Sequence, residues 1–346
     1  RRGTDLHLTA GSPPLVRIDG QLHPIPDQPM VKPADTAAVA SILLDEEGRA
    51  TLAARGDVDF AFGFDRLARV RGSAYSQRGS ITLALRMIPS RIPSMEELGL
   101  PPAVQQMVEA PSGLILVTGP TGSGKSTTLA SMIAHINSTR PCHILTIEDP
   151  IEYVHRHGRG AVNQREVGSD TESFARGLRS ALREDPDVLM VGEMRDLESV
   201  ETVLTLAETG HLVLATLHTN DTTQAVDRLV GVFPGEQQNQ ARLQISASLV
   251  GVVYQRLLPR DGGGVVAAYE ILRGTIAVRN LIRESQTRQL RNAITMGQAD
   301  GMQTLEMHLS KLVSDGVIDR EDAVHRSLYP KEIARPAGAA RVPAGV

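Results

Sequence analysis

Residues Gly119 to Ser126, read as Gly-Pro-Thr-Gly-Ser-Gly-Lys-Ser, match the spacing G-x-x-x-x-G-K-[ST]. Each residue type there has a chemical use. Gly119, Gly122 and Gly124 let the backbone curl so that consecutive N–H groups converge into an anion cradle, with Pro120, Thr121 and Ser123 completing the turn. Lys125 would carry a point charge to the terminal phosphates of a nucleotide, and the Ser126 hydroxyl would ligate Mg²⁺. The apolar run Leu114–Val117 predicts a buried strand before the loop, and Thr127 onward predicts a helix whose positive end faces the anion. The plain alternative is a glycine-rich strand-to-helix turn that binds nothing. A full eight-position match between a strand and a helix favours a nucleoside triphosphate over that turn.

Downstream of the loop, apolar runs alternate with helical stretches: Ile144–Ile147, Val188–Val191 and Leu212–Leu217. This is the pattern of a parallel sheet covered on both faces, where ligands sit beyond the carboxyl ends of the strands. That rule selects the residues after each run. They are Glu148-Asp149-Pro150-Ile151-Glu152, then Gly192-Glu193, then His218. Glu193 stands where an acid could hold Mg²⁺ directly or through water. Glu148, Asp149 and Glu152 are candidates to position an attacking water, and His218 could read a γ-phosphate oxygen. Singly, an acid after a strand is more often a helix cap or a solvated loop residue; grouped behind a phosphate loop, these four positions favour chemistry. His211 opens the strand that ends at His218, where a structural hydrogen-bonding role competes evenly with a chemical one. Arg176, Arg179 and Arg183 read as a solvated helix face, and the methionines as core filler.

Composition narrows the classes. The chain has 346 residues, long enough for two domains, with a formal net charge of -4 and no Trp. Acidic balance and scarce aromatics argue against a general nucleic-acid surface. The single Cys142 excludes an intramolecular disulfide and a cysteine-cluster zinc site, and fits a reducing compartment. No apolar run reaches the roughly 20 residues that span a bilayer, and no signal peptide is evident. The chain opens at Arg1 rather than Met, so a short preceding piece is expected, and the expected location is cytosolic.

Residues 1–88 read as a small α+β domain. Strand-like alternation appears in Asp5–Leu8, Leu15–Ile18, Asp57–Phe64, Arg69–Ser76 and Ile81–Met87, with hairpin turns at Asp19-Gly20 and Gln77–Ser80. Helical spacing runs from Pro33 to Leu44 and closes near Gly48. The arginines here, Arg69, Arg71, Arg78 and Arg86, read on their own as ordinary solvated side chains. A proline-punctuated linker covers 89–98, in which Ser94 and Glu97 predict a capping box that starts a helix. A P-loop core follows over 99–274, read as mostly helical from Thr222 apart from a short strand, Val265–Ile271. A helical region spans 275–329, and 330–346 is expected to be disordered.

Five blocks together resemble the type II/IV secretion ATPase superfamily: TGPTGSGKSTT, ILTIEDPIEYVH (144–155), NQREVG (163–168), ALREDPDVLMVGEMRDLE (181–198) and TGHLVLATLHTN (209–220). In that family they are the Walker A, Asp box, atypical Walker B and His box. Thr4–Leu8 is similar to the family's ASDLHL-like start. Within the superfamily the chain resembles the retraction ATPases of type IV pili. Ala277–Glu284 is similar to their AIRNLIRE element with Val278 in place of Ile, and one cysteine cannot build the tetracysteine zinc element usual in assembly and secretion members.

The resemblance implies an α/β architecture in which a PAS-like N-terminal domain precedes a RecA-like P-loop domain, joined by a flexible linker, with ATP between them in a ring of six. It implies that Lys125 and Ser126 hold phosphate and Mg²⁺, that Glu193 is the Walker B acid, and that Glu152 is the catalytic base. His218 and His211 would be the His-box pair, and Arg78 and Arg86 the N-terminal arginines that close on the γ-phosphate. The implied partners are other copies in a homohexamer and an inner-membrane pilus platform protein, reached from the cytoplasmic face, with no structural zinc and no nucleic acid. Three rivals stay open: the same engine driving pilus assembly or type II secretion, a RecA-like nucleic-acid translocase, and a non-catalytic nucleotide-gated binding module.

Overall fold

Alternating apolar and polar residues at the start of the chain fold into an antiparallel sheet. In the computed structural model, which describes residues 3–18, 21–64, 68–88, 91–194 and 196–334, the chain divides into two compact units. The first comprises residues 1–91 with Glu152–Val154, and the second residues 92–151 with 155–346. The expected turn at Asp19-Gly20, Pro89 and Ser90 of the linker, and the tail from 335 lie outside the described residues.

The first unit contains β1 (Asp5–Leu8), β2 (Leu15–Ile18), β3 (Gln21–Pro24), α1 (Pro33–Leu43), α2 (Glu46–Arg55), β4 (Asp57–Phe64), β5 (Ala68–Gln77) and β6 (Ser80–Ile88). Its sheet has the order β3-β2-β1-β6-β5-β4, every described pairing antiparallel. The β5–β6 turn puts Arg78 at φ 49° and Gly79 at φ 77°, the twist that a two-residue hairpin needs. Ala40 and Leu52 from the helices, with Leu44 between them, pack against Ala74 and Leu83 of the sheet. The helix expected to close near Gly48 is two helices. Leu44 is extended, and the Asp45 carboxylate accepts from the Gly48 N–H at 2.8 Å, capping α2, which runs through Gly48 to a left-handed Gly56.

The second unit begins with α3 (Pro102–Val108), β7 (Gly113–Thr118), α4 (Lys125–Thr139), β8 (His143–Glu148), β9 (Ala161–Glu166) and α5 (Phe174–Ala181). There follow β10 (Val188–Val191), α6 (Leu197–Glu208), β11 (Leu212–Leu217), α7 (Thr222–Gly231), α8 (Gln238–Ser248), β12 (Leu249–Pro259) and β13 (Val265–Arg273). It ends with α9 (Ile276–Arg283), α10 (Leu290–Met296), α11 (Leu305–Ser314) and α12 (Arg320–Arg326). Seven strands lie in the order β13-β12-β7-β11-β10-β8-β9, parallel except for the β12–β13 pair.

Side chains alternate across each strand, which sorts β7 between two cores. Leu114 and Leu116 pack with α6, α7 and α8 on one face, and Ile115 and Val117 pack with α3 and α4 on the other. A third cluster seats α11 and α12 on Tyr254, Leu258 and Ala268.

Two local expectations change. The Ser94–Glu97 box forms, with Ser94 N–H to Glu97 Oε2 at 2.8 Å and Glu97 N–H to Ser94 Oγ at 3.1 Å, but it closes a turn, and the helix waits until Pro102. After Thr222 helices predominate as expected, but two strands interrupt them where one was expected. Leu249–Pro259 is an eleven-residue strand inside the sheet, between the edge strand β13 and β7. A continuous apolar run has the same pattern in a buried strand and a buried helix, and its β-branched Val250, Val252 and Val253 favour the strand.

Candidate nucleotide site

The strand register brings the chemistry to one edge. Val117 pairs with Thr216, Ala215 with Val191, and Val191 with Ile147, so the carboxyl ends of β7, β11, β10 and β8 align. The phosphate loop, His218, Gly192-Glu193 and Glu148 therefore leave the sheet at the same edge. Adjacent β12 aligns Tyr254 with Thr118 and delivers Gln255 there as well.

The loop's backbone requires its glycines. Gly119, Gly122 and Gly124 have φ of 145°, 75° and 88°. A Cβ on Gly119 would lie 2.4 Å from the Gln255 carbonyl oxygen, so that position also lacks space. Gly124 stands in the left-handed region as the cap of α4, and Lys125 begins the helix.

Lys125 is buried, and its Nζ donates to the carbonyl oxygens of Gly119 and Pro120 at 3.0 Å each. The same ammonium lies 3.4 Å from Nδ1 of His218, whose Nε2 lies 3.4 Å from Oε1 of Glu193. An ammonium only donates, so Nδ1 must accept; a neutral ring then carries its proton on Nε2 and donates to Glu193. Both contacts are long, and the imidazole links the cation to the carboxylate in a single file.

The neighbours of this file are fixed. The Thr216 hydroxyl donates to the Gly192 carbonyl oxygen, and Gly192 N–H donates to Ile147 O at 2.8 Å. Beyond His218, the N–H and hydroxyl of Thr222 both donate to the buried Glu270 carboxylate, at 2.9 and 2.8 Å. The loop carrying His218 is thus held at each end.

Each remaining candidate has its own surroundings. Glu148 is buried and accepts from the Thr146 hydroxyl at 2.7 Å and the Gln164 amide at 3.0 Å, which ties it into the sheet. Glu152 is exposed, past a cis Asp149–Pro150 bond and an Ile151 N–H that donates to Glu166 at 3.0 Å. In the first unit, Arg86 Nε donates to Asp5 Oδ1 at 2.6 Å and helps hold that carboxyl below its usual range, and Arg78 is exposed on the β5–β6 turn. His211, the other member of the expected His-box pair, lies at the opposite end of β11 from His218. It precedes β11, a six-residue strand, so it stands about 20 Å from the edge that carries His218. Its Nδ1 donates to Leu206 O at 3.0 Å, closing the end of α6.

Whether these residues suit a nucleotide can be tested on the loop itself. The Ser123 Oγ is buried with no hydrogen-bond partner among the described residues, in a cradle that no Cβ at Gly119 would leave intact. Lys125, Ser126, Thr127 and the loop N–H groups fit a polyphosphate. Among the described residues no cluster of three or more His, Cys, Asp or Glu could hold a metal alone. Mg²⁺ is commonly held by one or two protein groups together with substrate phosphates.

Three comparisons bear on kinship. Residues 17–326 match the family described as "Type II/IV secretion system protein". The "Type IV pilus retractation ATPase PilT" of Pseudomonas aeruginosa is 48% identical over 328 residues, 95% of each chain. A "Twitching motility protein" of Neisseria gonorrhoeae is 46% identical over 315 residues, 91% of this chain and 84% of that one. Among solved structures, "Crystal Structure of the Pilus Retraction Motor PilT and Bound ADP" aligns at TM-score 0.91 with 52% identity, covering 95% of this chain and 94% of the other. With an N-terminal α+β unit ahead of a RecA-like sheet, a phosphate loop and this kinship, the chain belongs to the type II/IV secretion system protein family, on its PilT-type retraction ATPase branch.

Proposed function

We propose that the chain is an ATP-hydrolysing motor subunit that works as a homohexamer and powers type IV pilus retraction. The observation that carries this is the file Lys125–His218–Glu193 at the carboxyl edge of the sheet, beside a loop with room only for glycine at position 119. Lys125 and the loop N–H groups bind the phosphates, and the Ser126 hydroxyl and Glu193 hold Mg²⁺, directly or through water. Mg²⁺ supplies charge neutralisation of the phosphates. His218 is poised to respond to a third phosphate, because it already bridges the cation and the carboxylate that such a group would approach. Glu152 orients and deprotonates water, and Arg78 and Arg86 supply positive charge during turnover. The chemistry is positioning and charge stabilisation without a covalent intermediate.

The motor acts at the cytoplasmic side of the inner membrane, through a membrane-embedded pilus platform. Among the described residues no helix is long and apolar enough to cross a membrane, so attachment through such a partner fits. The reading is tested with purified protein and in cells. Lys125→Ala is expected to abolish turnover, and Glu152→Gln to bind ATP without hydrolysing it. Normal hydrolysis by Glu152→Gln would remove Glu152 from the mechanism. A deletion strain is expected to keep surface pili but lose twitching; loss of pili would point instead to assembly.

A further inference from the structure

We infer that Gln255, on β12, is a positioning residue for the phosphate loop: its side-chain amide sets the direction of the Gly124 N–H. The inference rests on the nucleotide reading of the loop. Gln255 is 1% exposed, and its Nε2 donates to the Ser123 carbonyl oxygen at 2.6 Å across 132 residues of sequence. A carbonyl oxygen only accepts, so the NH₂ end of the amide must face it. The Oε1 end is left buried with no hydrogen-bond partner among the described residues. Leaving a buried acceptor unmatched is costly, so the amide's orientation is set by the loop and not by its own best pairing.

The consequence follows from peptide geometry. Across a planar trans peptide the C=O and the next N–H point in opposite directions. Gripping Ser123 O from the β12 side therefore turns the Gly124 N–H away from β12. Gly124 and Gly119 also leave no slack on that side: their added Cβ atoms would lie 3.2 Å from Gln255 Nε2 and 2.4 Å from Gln255 O. Gln255 and the two glycines thus form one fitted contact, in which the side-chain amide holds the loop by a hydrogen bond and the main-chain carbonyl limits the space beside Gly119. Without the amide, the 123–124 peptide can rotate, and one N–H of the cradle is lost.

The test measures binding of ADP carrying a fluorescent ribose label to the full chain at pH 8 and pH 6. Wild type, Gln255→Met and Gln255→Glu are compared, each variant being expressed as a ratio to wild type at the same pH. Gln255→Met has similar volume and no donor, and is expected to bind about 10- to 100-fold more weakly at both pH values. Gln255→Glu is expected to be at least as weak at pH 8, where a carboxylate faces the Ser123 carbonyl. At pH 6 it is expected to regain most of its affinity, because burial raises a carboxyl's pKa and its protonated form donates again. Recovery within one sample separates positioning from misfolding. Wild-type affinity in Gln255→Met, or an unchanged Gln255→Glu ratio between the two pH values, overturns the inference. Wild-type protein that binds no ADP would overturn the nucleotide reading beneath it, whereas the first two results leave that reading standing.

Discussion

The ammonium of Lys125 lies 3.4 Å from Nδ1 of His218, and this contact decides which nitrogen of the ring carries the proton. With Nδ1 accepting, Nε2–H is directed at Glu193. Replacing His218 with Ala removes the link between the cation and the acid but leaves the loop and Lys125 in place. Turnover is expected to fall about 100-fold or more, the scale seen when one preorganised donor is removed, while ADP affinity changes only a few-fold. Steady-state kcat together with direct nucleotide titration checks this. A large loss of affinity with kcat preserved would mean that His218 serves binding rather than turnover.

The loop glycines are predicted to be unequal. Gly122 has φ 75° but open space around its absent Cβ, so Gly122→Ala carries only the left-handed backbone cost, about 1–2 kcal/mol. Gly119→Ala meets the Gln255 carbonyl at 2.4 Å, a main-chain atom that cannot swing away. Nucleotide affinity is expected to survive the first change, reduced, and to vanish in the second. Equal affinities in the two variants would contradict the loop–β12 contact.

Arg291 anchors the C-terminal helices behind the site. It reaches Glu306 at 3.0 Å, Glu332 at 2.6 Å and Glu270 at 3.9 Å, and its guanidinium lies 3.6 Å from the Tyr329 ring centre. Arg291→Leu leaves Glu270 and Glu306 buried without their cation and is expected to cost about 3–5 kcal/mol at pH 8. Burial already raises the pKa of Glu270. As pH falls that carboxyl protonates first in the folded state, so the variant's deficit should shrink toward pH 5.5. Calorimetric melting of both proteins at the two pH values decides it; a deficit that grows on acidification would refute the network.

What the sequence disclosed and what it hid follow the same physics. The phosphate loop was legible because few residue types can occupy positive φ beside a close backbone, so Gly119, Gly122 and Gly124 announce their geometry. The partners after β10 and β11 were legible because strand ends in a parallel sheet share one edge. β12 was not, since its first six residues, LVGVVY, are a continuous apolar run that shows neither a period of two nor of 3.6. With the strand hidden, Gln255 could not be placed; an amide ending an apolar run, next to Arg256, was the available signal. His211 shows the opposite limit. Its position at a strand start was readable, but whether that end carried chemistry or the helix α6 closure depended on Leu206, five residues back. Ser94 and Glu97 made their box correctly, yet a box fixes a turn and not the length of helix behind it.

Acid stability supplies the last prediction. Burial lowers the pKa of His155 from 6.5 to about 4, and lowers that of His308, whose Nδ1 accepts the Tyr269 N–H at 2.9 Å. In both cases the folded chain holds the neutral ring, so the unfolded chain takes up the proton first as pH falls. The stability contributed by His155 is fully present above pH 6.5 and declines between there and about pH 4, and His308 acts in the same direction. For His155 the loss across that window is about 3 kcal/mol. Urea unfolding at pH 7 and pH 4.5 is expected to show wild type losing more stability than His155→Leu, whose side chain cannot accept a proton. Identical losses in the two proteins would mean that His155 is as readily protonated folded as unfolded, and the acid sensitivity would have to come from elsewhere in the chain.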